Sequence, residues 1–341
     1  MSDEFGLLDK TFLPKDDFQH PVGEDPNWNE SYYWVWADMK SEIAGFSRIG
    51  IKGNNGYMEA LNGVCLGGTR IAFSHTRLPV KRDHTELSAG GLSYERIEPL
   101  KRWKLHMDGD VQDIPDGKIL YMPSKERPSG WYTSSRLKMA LDFEVMSPPQ
   151  AFNIKFGQEH FEQFGRVSGT VQIAGIDAKI NGYGLRDKSW GQRTWQLQEF
   201  DFPTAPGAPM TTGLWLAGAF GPDLGFAIAI NPNEQGIYSG TVGLVMIDGQ
   251  NKLATDLVGS AEYIPGTLAC TKIHMACKVE GRKFEVHGDV INHIPTKIVL
   301  PDGSLRAVIT EALVRLRTPE GRETLCIMEY HTKPPQRIKK A

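Results

Sequence analysis

The stretch GRVSGTVQIAGIDAKINGYGLRDKSWG, residues 165–191, carries the reading of the fold. Val167, Val171 and Ile173 alternate with small or polar residues, and Ile176 and Ile180 answer them across Ala174-Gly175. That is a period of two broken by a tight turn, the pattern of a β-hairpin. Beyond Ile180 the alternation continues: Tyr183, Leu185, Asp187 and Ser189 fall on one face, Gly184, Arg186, Lys188 and Trp190 on the other. Gly182 and Gly184 admit a bulge or the close approach of another backbone.

The same period recurs along the chain. RLKMALDFEVM (residues 136–146) puts Leu137, Met139, Leu141, Phe143 and Val145 on one parity. RWKLHMDGD (102–110) does so through Trp103, Leu105 and Met107 and is expected to end at an Asp-Gly turn. TVGLVMIDGQNKLATDLV and EALVRLRTPEGRETLCIMEY each read as two strands, joined at Asp248-Gly249 and at Pro319-Glu320-Gly321. Helical spacing is confined to GQEHFEQFG, 157–165. With 36 Gly and 21 Pro in 341 residues, short strands at intervals of roughly ten residues predict antiparallel barrels or sandwiches. The length favours two domains, and the expected division is an N-terminal β domain over 1–157 and a C-terminal one over 158–341. No sequence repeat of 20–50 residues is present.

A net charge of −3 gives no general attraction to nucleic acid or to anionic membranes. No apolar run approaches a membrane span, and the acidic start MSDEFGLLDK lacks the features of a signal peptide. Cys65, Cys270, Cys277 and Cys326 form no CxxC pair, which fits free, buried thiols in a reducing cytoplasm. Standard nucleophile, zinc-protease and phosphate-loop motifs are missing. The histidines show no ligand spacing, His274 with Cys277 and His287 with His293 coming nearest, so neither metal nor cofactor is expected.

NWNESYYWVWAD, residues 27–38, is apolar on both parities, which predicts a central strand buried on both sides. Tyr32 and Trp34 are either core or the lining of an apolar cavity, with Glu30 at its mouth. In LCIMEYH, Glu329 shares a face with Leu325 and Ile327. An unpaired carboxylate there would cost several kcal/mol, so pairing with Arg315 or Arg317 is expected. Asp187 follows Leu185 onto what reads as an inner face. A carboxyl group in an apolar enclosure holds its proton more tightly and can act as an acid near neutral pH; a neighbouring Arg186 or Arg193 would instead make it an ion-pair latch. Trp190 and Trp195 could shield a developing cation or plug a corner between the β units.

The block from His160 to Trp195, with its Gly-x-Gly and its Asp-containing turn ending in Ser-Trp-Gly, resembles the lipocalin-like superfamily of hydroxyneurosporene synthase and tocopherol cyclase. ESYYWVWAD and EALVRLRTPEGRETLCIMEY resemble flanking blocks of its uncharacterised bacterial branch. The resemblance implies an all-β chain of two lipocalin-like domains with few short helices. It also implies cofactor-independent protonation of an isoprenoid- or steroid-like substrate, leading to hydration, cyclisation or isomerisation. Where many relatives carry a histidine after the aspartate, this chain has Lys188. The expected catalytic set is Asp187, Arg186 and Glu329, lined by Trp34, Tyr32, Trp190, Trp195, Tyr183, Tyr330, Glu30 and His160. The partner would be a hydrophobic small molecule, a homodimer is compatible with the reading, and a non-catalytic carrier of a lipophilic metabolite is the alternative.

Overall fold

The structure is a computed structural model describing residues 7–122, 124–152, 158–193, 210–232, 238–264, 267, 269–299 and 305–333. Its first half contains β1 (Leu7–Leu8), β2 (Trp28–Asp38), β3 (Ile43–Lys52), β4 (Tyr57–Leu66), β5 (Ile71–Pro79), β6 (Ser88–Ala89), β7 (Leu92–Glu98), β8 (Arg102–Ile114), β9 (Thr133–Val145), β10 (Ala151–Phe152), β11 (Gln158–Ile173) and β12 (Ile176–Gln192). The second half contains β13 (Met210–Ala219), β14 (Leu224–Pro232), β15 (Tyr238–Ile247), β16 (Gln250–Tyr263), β17 (Cys270–Val279), β18 (Arg282–Val299), β19 (Leu305–Arg317) and β20 (Glu323–Lys333). Helical structure among the described residues is limited to short 3-10 turns, at Pro14–Asp17, Gly53–Asn55 and Gly117–Tyr121.

The first sheet runs β5-β4-β3-β2-β12-β11-β9-β8-β7-β6, and a further pairing of β5 with β8 closes eight of these strands into a ring. The second sheet is a closed meander from β13 to β20, its last strand returning to pair with its first. The fold is therefore all-β and lipocalin-like. Each barrel interior is filled by side chains, as expected at this strand number. Trp34, Trp103, Leu105, Leu141 and Phe143 fill the first, and Phe226, Ile228, Val286, Val314 and Met328 the second.

These pairings correct the division expected at residue 157/158. β11 and β12 bridge β9 and β2 inside the first sheet, so the boundary between the sheets falls between Gln192 and Met210. The hairpin reading of 165–191 was right, but local alternation carries no information on which non-local strand accepts its edges. GQEHFEQFG is also corrected: from Gln158 onward it is the start of β11, not a helix. Its mixed composition arises because Phe161 packs in a cluster with Phe12, Ala151 and Trp190, while Glu162 and Phe164 face the other barrel. β8 likewise continues through Asp108-Gly109 to Ile114. Gly109 is there because the backbone of Gly90 and Gly91 crosses it, with a Cβ at 109 falling 2.9 Å from the Gly90 carbonyl oxygen.

The other turns form where the sequence indicated. Asp248 and Gly249 both adopt positive φ (48° and 79°), the twist that suits a two-residue hairpin. β2 is buried on both faces along almost its whole length. One face is barrel core. The other, with Tyr33, Val35 and Ala37, packs with Leu185, Leu313 and Ile327 in an apolar seam between the barrels. All four cysteines are free and buried.

Candidate functional site

The seam is apolar except in one place. Strand register there aligns Glu162 on β11 with Asp187 on β12, Asp187 with Tyr33 on β2, and Tyr33 with Arg48 on β3. The register of the second barrel sets Glu311 on β19 beside Glu329 on β20, and Glu329 beside Trp215 on β13. The two rows face each other across the seam. The Tyr33 hydroxyl donates to Glu311 Oε2 at 2.8 Å, and the Tyr33 and Trp215 ring centroids lie 6.0 Å apart. Gly184 makes the first row possible, since a Cβ at that position would collide with the Val35 carbonyl oxygen on β2.

On the first wall, His160, Glu162 and Asp187 bring donor atoms within 4.8 Å of one another. His160 Nε2 is 3.7 Å from Glu162 Oε1, and Glu162 Oε2 is buried with no hydrogen-bond partner among the described residues. Burial opposes a charge on His160, yet its hydrogen bond to Glu162 and the nearby Asp187 raise its pKa overall. Burial raises that of Glu162 against the pull of His160. Both shifts retain protons on this wall. Arg193, which donates to Ser189 Oγ at 3.1 Å, is brought down to about 9 by burial and by Arg48.

On the second wall, Glu311 and Glu329 share a side-chain hydrogen bond and titrate as a pair. Burial, then the charge of Glu329, lifts Glu311 well above the ordinary carboxyl range. Burial pushes Glu329 the same way but is outweighed by His331, whose Nε2 lies 2.9 Å from Glu329 Oε1, and by Arg193. Two adjacent carboxyls driven apart in this way favour a state in which one carries a proton and the other a charge. Tyr33 is raised well above its usual value by burial and by both glutamates, so it stays a hydrogen-bond donor. The constellation can be reached from solvent: Asp187 is half-buried, and the Glu329 side chain is 23% exposed.

The residues expected from sequence divide between this seam and the barrel interiors. Asp187, Glu329 and His160 come together here. Tyr183 shares the face of Asp187, two positions beyond Leu185. Arg186 does not join them. Strand alternation turns it into the first barrel, where it is 1% exposed and donates to Asp17 Oδ1 at 2.8 Å and Gln163 Oε1 at 2.9 Å. Lys188 points the same way and pairs with Glu30, which also meets His20. Trp34 and Tyr32 are core of the first barrel and Tyr330 is core of the second. Trp190 stacks on His20 with centroids 3.9 Å apart, near Phe12 and Phe161. Arg186, Glu30, Trp34, Tyr32, Tyr330 and Trp190 therefore do not surround Asp187, a correction that follows from the period of two. Trp195 lies outside the described residues. Glu329 pairs with His331 and Glu311 rather than with Arg315, which meets Glu42, or Arg317, which meets Asp289 and Glu323.

Sequence reading missed Glu162, Tyr33, Arg48, Glu311 and His331. Glu311 was recoverable in principle: a hairpin closing at Thr318–Arg322 carries the register back from Arg317↔Glu323 to Glu311↔Glu329. Two groups of described residues could hold a metal ion, His160 with Glu162 and Asp187, and His274 with Glu285 and His287.

The fold defines an all-β protein of two lipocalin-like barrels with an ionisable cluster in the seam between them. The chain belongs to the family described as Domain of unknown function (DUF7064), whose model matches residues 13–334. Kievitone hydratase from Nectria haematococca is similar in structure at 10% identity, with 92% of this chain and 93% of that chain covered and a TM-score of 0.51. A Nitrosomonas europaea protein described as a candidate AttH is similar at 11% identity, with 94% and 97% covered and a TM-score of 0.50. CghA in complex with Sch210972 gives 11% identity, 97% and 98% coverage and a TM-score of 0.49. No curated protein matches the chain in sequence.

Proposed function

We propose that the seam is the active site of a cofactor-independent acid–base enzyme acting on a hydrophobic small molecule. The observation that carries this reading is the Glu311–Glu329 pair, two carboxyls on adjacent strands in an ionisable cluster within an otherwise apolar seam, one with its pKa raised and the other with its pKa lowered. A proton held by the former can be delivered to the carbon of an alkene or enol, or to the oxygen of an epoxide. With an alkene, the π electrons form the new C–H bond and a carbocation remains. Water adds to that cation in a hydration, an internal double bond attacks it in a cyclisation, or an adjacent C–H proton leaves in an isomerisation. The carboxylate pair takes the released proton and returns to its starting state. Arg193 acts on Glu329 and Arg48 on Glu311, so both guanidiniums ease the transient dianion. Asp187, grouped with His160 and Glu162, is the second base on the opposite wall. The expected substrate class is isoprenoid, steroid or a related polycycle, in keeping with the apolar seam of Phe164, Leu185, Phe46 and Ile327 in which the cluster is set.

The experiment is turnover of a panel of such lipophilic compounds in D₂O, read by mass spectrometry. Proton-initiated chemistry leaves solvent deuterium in the product. Glu311→Gln and Asp187→Asn should each lower turnover by about 10²–10⁴-fold, the usual effect of losing a positioned acid or base. Unchanged turnover in both folded variants, or recovery of an unaltered bound ligand from a protein that turns over nothing, refutes the reading.

A further inference from the structure

Away from the seam, on the outer face of the second barrel, β17 and β18 set His274 directly across from His287. Glu285 stands two residues before His287 and therefore on the same face. The two imidazoles stack with centroids 4.6 Å apart and planes inclined by 26°. Both rings aim the same atom at one oxygen: His274 Nε2 lies 2.9 Å and His287 Nε2 3.3 Å from Glu285 Oε1. The other carboxylate oxygen is held by Lys283. A shallow recess lined by Ser260, Lys272 and Asp289 opens beside the rings.

We propose that His274, Glu285 and His287 form a binding site for a first-row divalent cation, with Zn²⁺ as the occupant. Two imidazole nitrogens and one carboxylate oxygen are a donor set for a borderline cation. Mg²⁺ and Ca²⁺ take oxygen ligands and are poorly served by it. The three donor atoms already lie within 4.8 Å of one another, so an ion entering between them needs only side-chain adjustment. Lys283 fixes the carboxylate from behind, the role of an outer partner at metal sites. Protein supplies three ligands, and the recess beside them leaves the fourth position to water. Such an ion would tie β17 to β18 on a face that takes no part in the seam, independently of any reaction there.

The test is titration of the chelator-treated full-length chain with Zn²⁺, and with Co²⁺ as a spectroscopic probe. A single equivalent should bind, with the intense ligand-field absorption of four-coordinate Co²⁺ and a rise in Tm at saturating Zn²⁺. His274→Ala and His287→Ala should each weaken binding by roughly tenfold or more, and Glu285→Gln by about tenfold. All three side chains are partly exposed, so these variants are expected to fold, as circular dichroism would verify. His160→Ala, in the other candidate cluster, should leave the titration unchanged. No saturable binding at micromolar Zn²⁺, binding indifferent to the histidine substitutions, or binding lost in His160→Ala instead would each overturn the assignment.

Discussion

Glu311 and Arg186 are both charged residues buried in β-strands, and the structure gives them opposite fates. Arg186 is neutralised by Asp17, whose carboxylate also accepts from the Leu100 amide at 2.6 Å and from Trp103 Nε1 at 3.2 Å. Replacing Arg186 with Met strands that carboxylate in the core. Loss of about 3–5 kcal/mol in chemical denaturation is expected, with the seam's chemistry affected only through folding. For Glu311 the pull of Arg48 is outweighed by burial and by the charge of Glu329, and its pKa is raised well above the ordinary carboxyl value. A carboxyl whose folded-state pKa is raised contributes stability that is fully present below its unfolded value, about 4.3. That contribution is lost as pH rises through the folded value. Gln mimics the protonated acid, so Glu311→Gln should lose activity yet melt at a higher temperature than the parent protein at alkaline pH. The gain should shrink towards zero near pH 4. Glu329 has the reverse sign: its depressed pKa gives stability that is present above the unfolded value and lost as pH falls through the folded one. Turnover that needs Glu311 protonated and Glu329 ionised should therefore follow a bell-shaped pH profile, its acid limb moved by His331→Ala.

At the scale of elements, the site is a matter of register. Tyr33, Asp187 and Glu162 form a row only because β12 pairs with β2 and β11 without a slip, and a one-residue slip of β12 would turn Asp187 away from the other two, towards the barrel core. Gly184 guards that register. Gly184→Ala should cost about 1–3 kcal/mol in unfolding free energy, the usual penalty of forced overpacking. It should also loosen the amide protection of β12 in hydrogen exchange before that of the second barrel. Much at this scale was legible in the sequence. The β11–β12 hairpin, the Asp248-Gly249 turn and the double burial of β2 were all written in alternation and turn chemistry. What was not legible is non-local. The pairing of β12 with β2 joins residues about 150 apart and leaves no local trace. Nor could alternation say that the outer face of the first barrel, rather than its interior, would meet another apolar surface. That ambiguity is why Asp187 was correctly set beside Leu185 while Trp34, Tyr32 and Arg186 were wrongly expected next to it.

At the scale of the whole molecule, each barrel has its own core and the proposed chemistry lies between them. Each interior is packed by its own aromatic and aliphatic side chains, and Asp17 of the Pro14–Asp17 turn is buried against the first. The seam instead collects ionisable groups from β2, β3, β11 and β12 on one side and from β19 and β20 on the other. Neither barrel alone holds both walls. Glu311 is expected to keep its proton at neutral pH within that seam. Infrared difference spectroscopy of the parent protein against Glu311→Gln, followed across pH, tests it most directly. A protonated-carboxyl C=O band should persist through pH 7 in the parent and be missing from the variant. A parent spectrum in which every carboxyl has ionised by pH 6, indistinguishable there from that of Glu311→Gln, would contradict it.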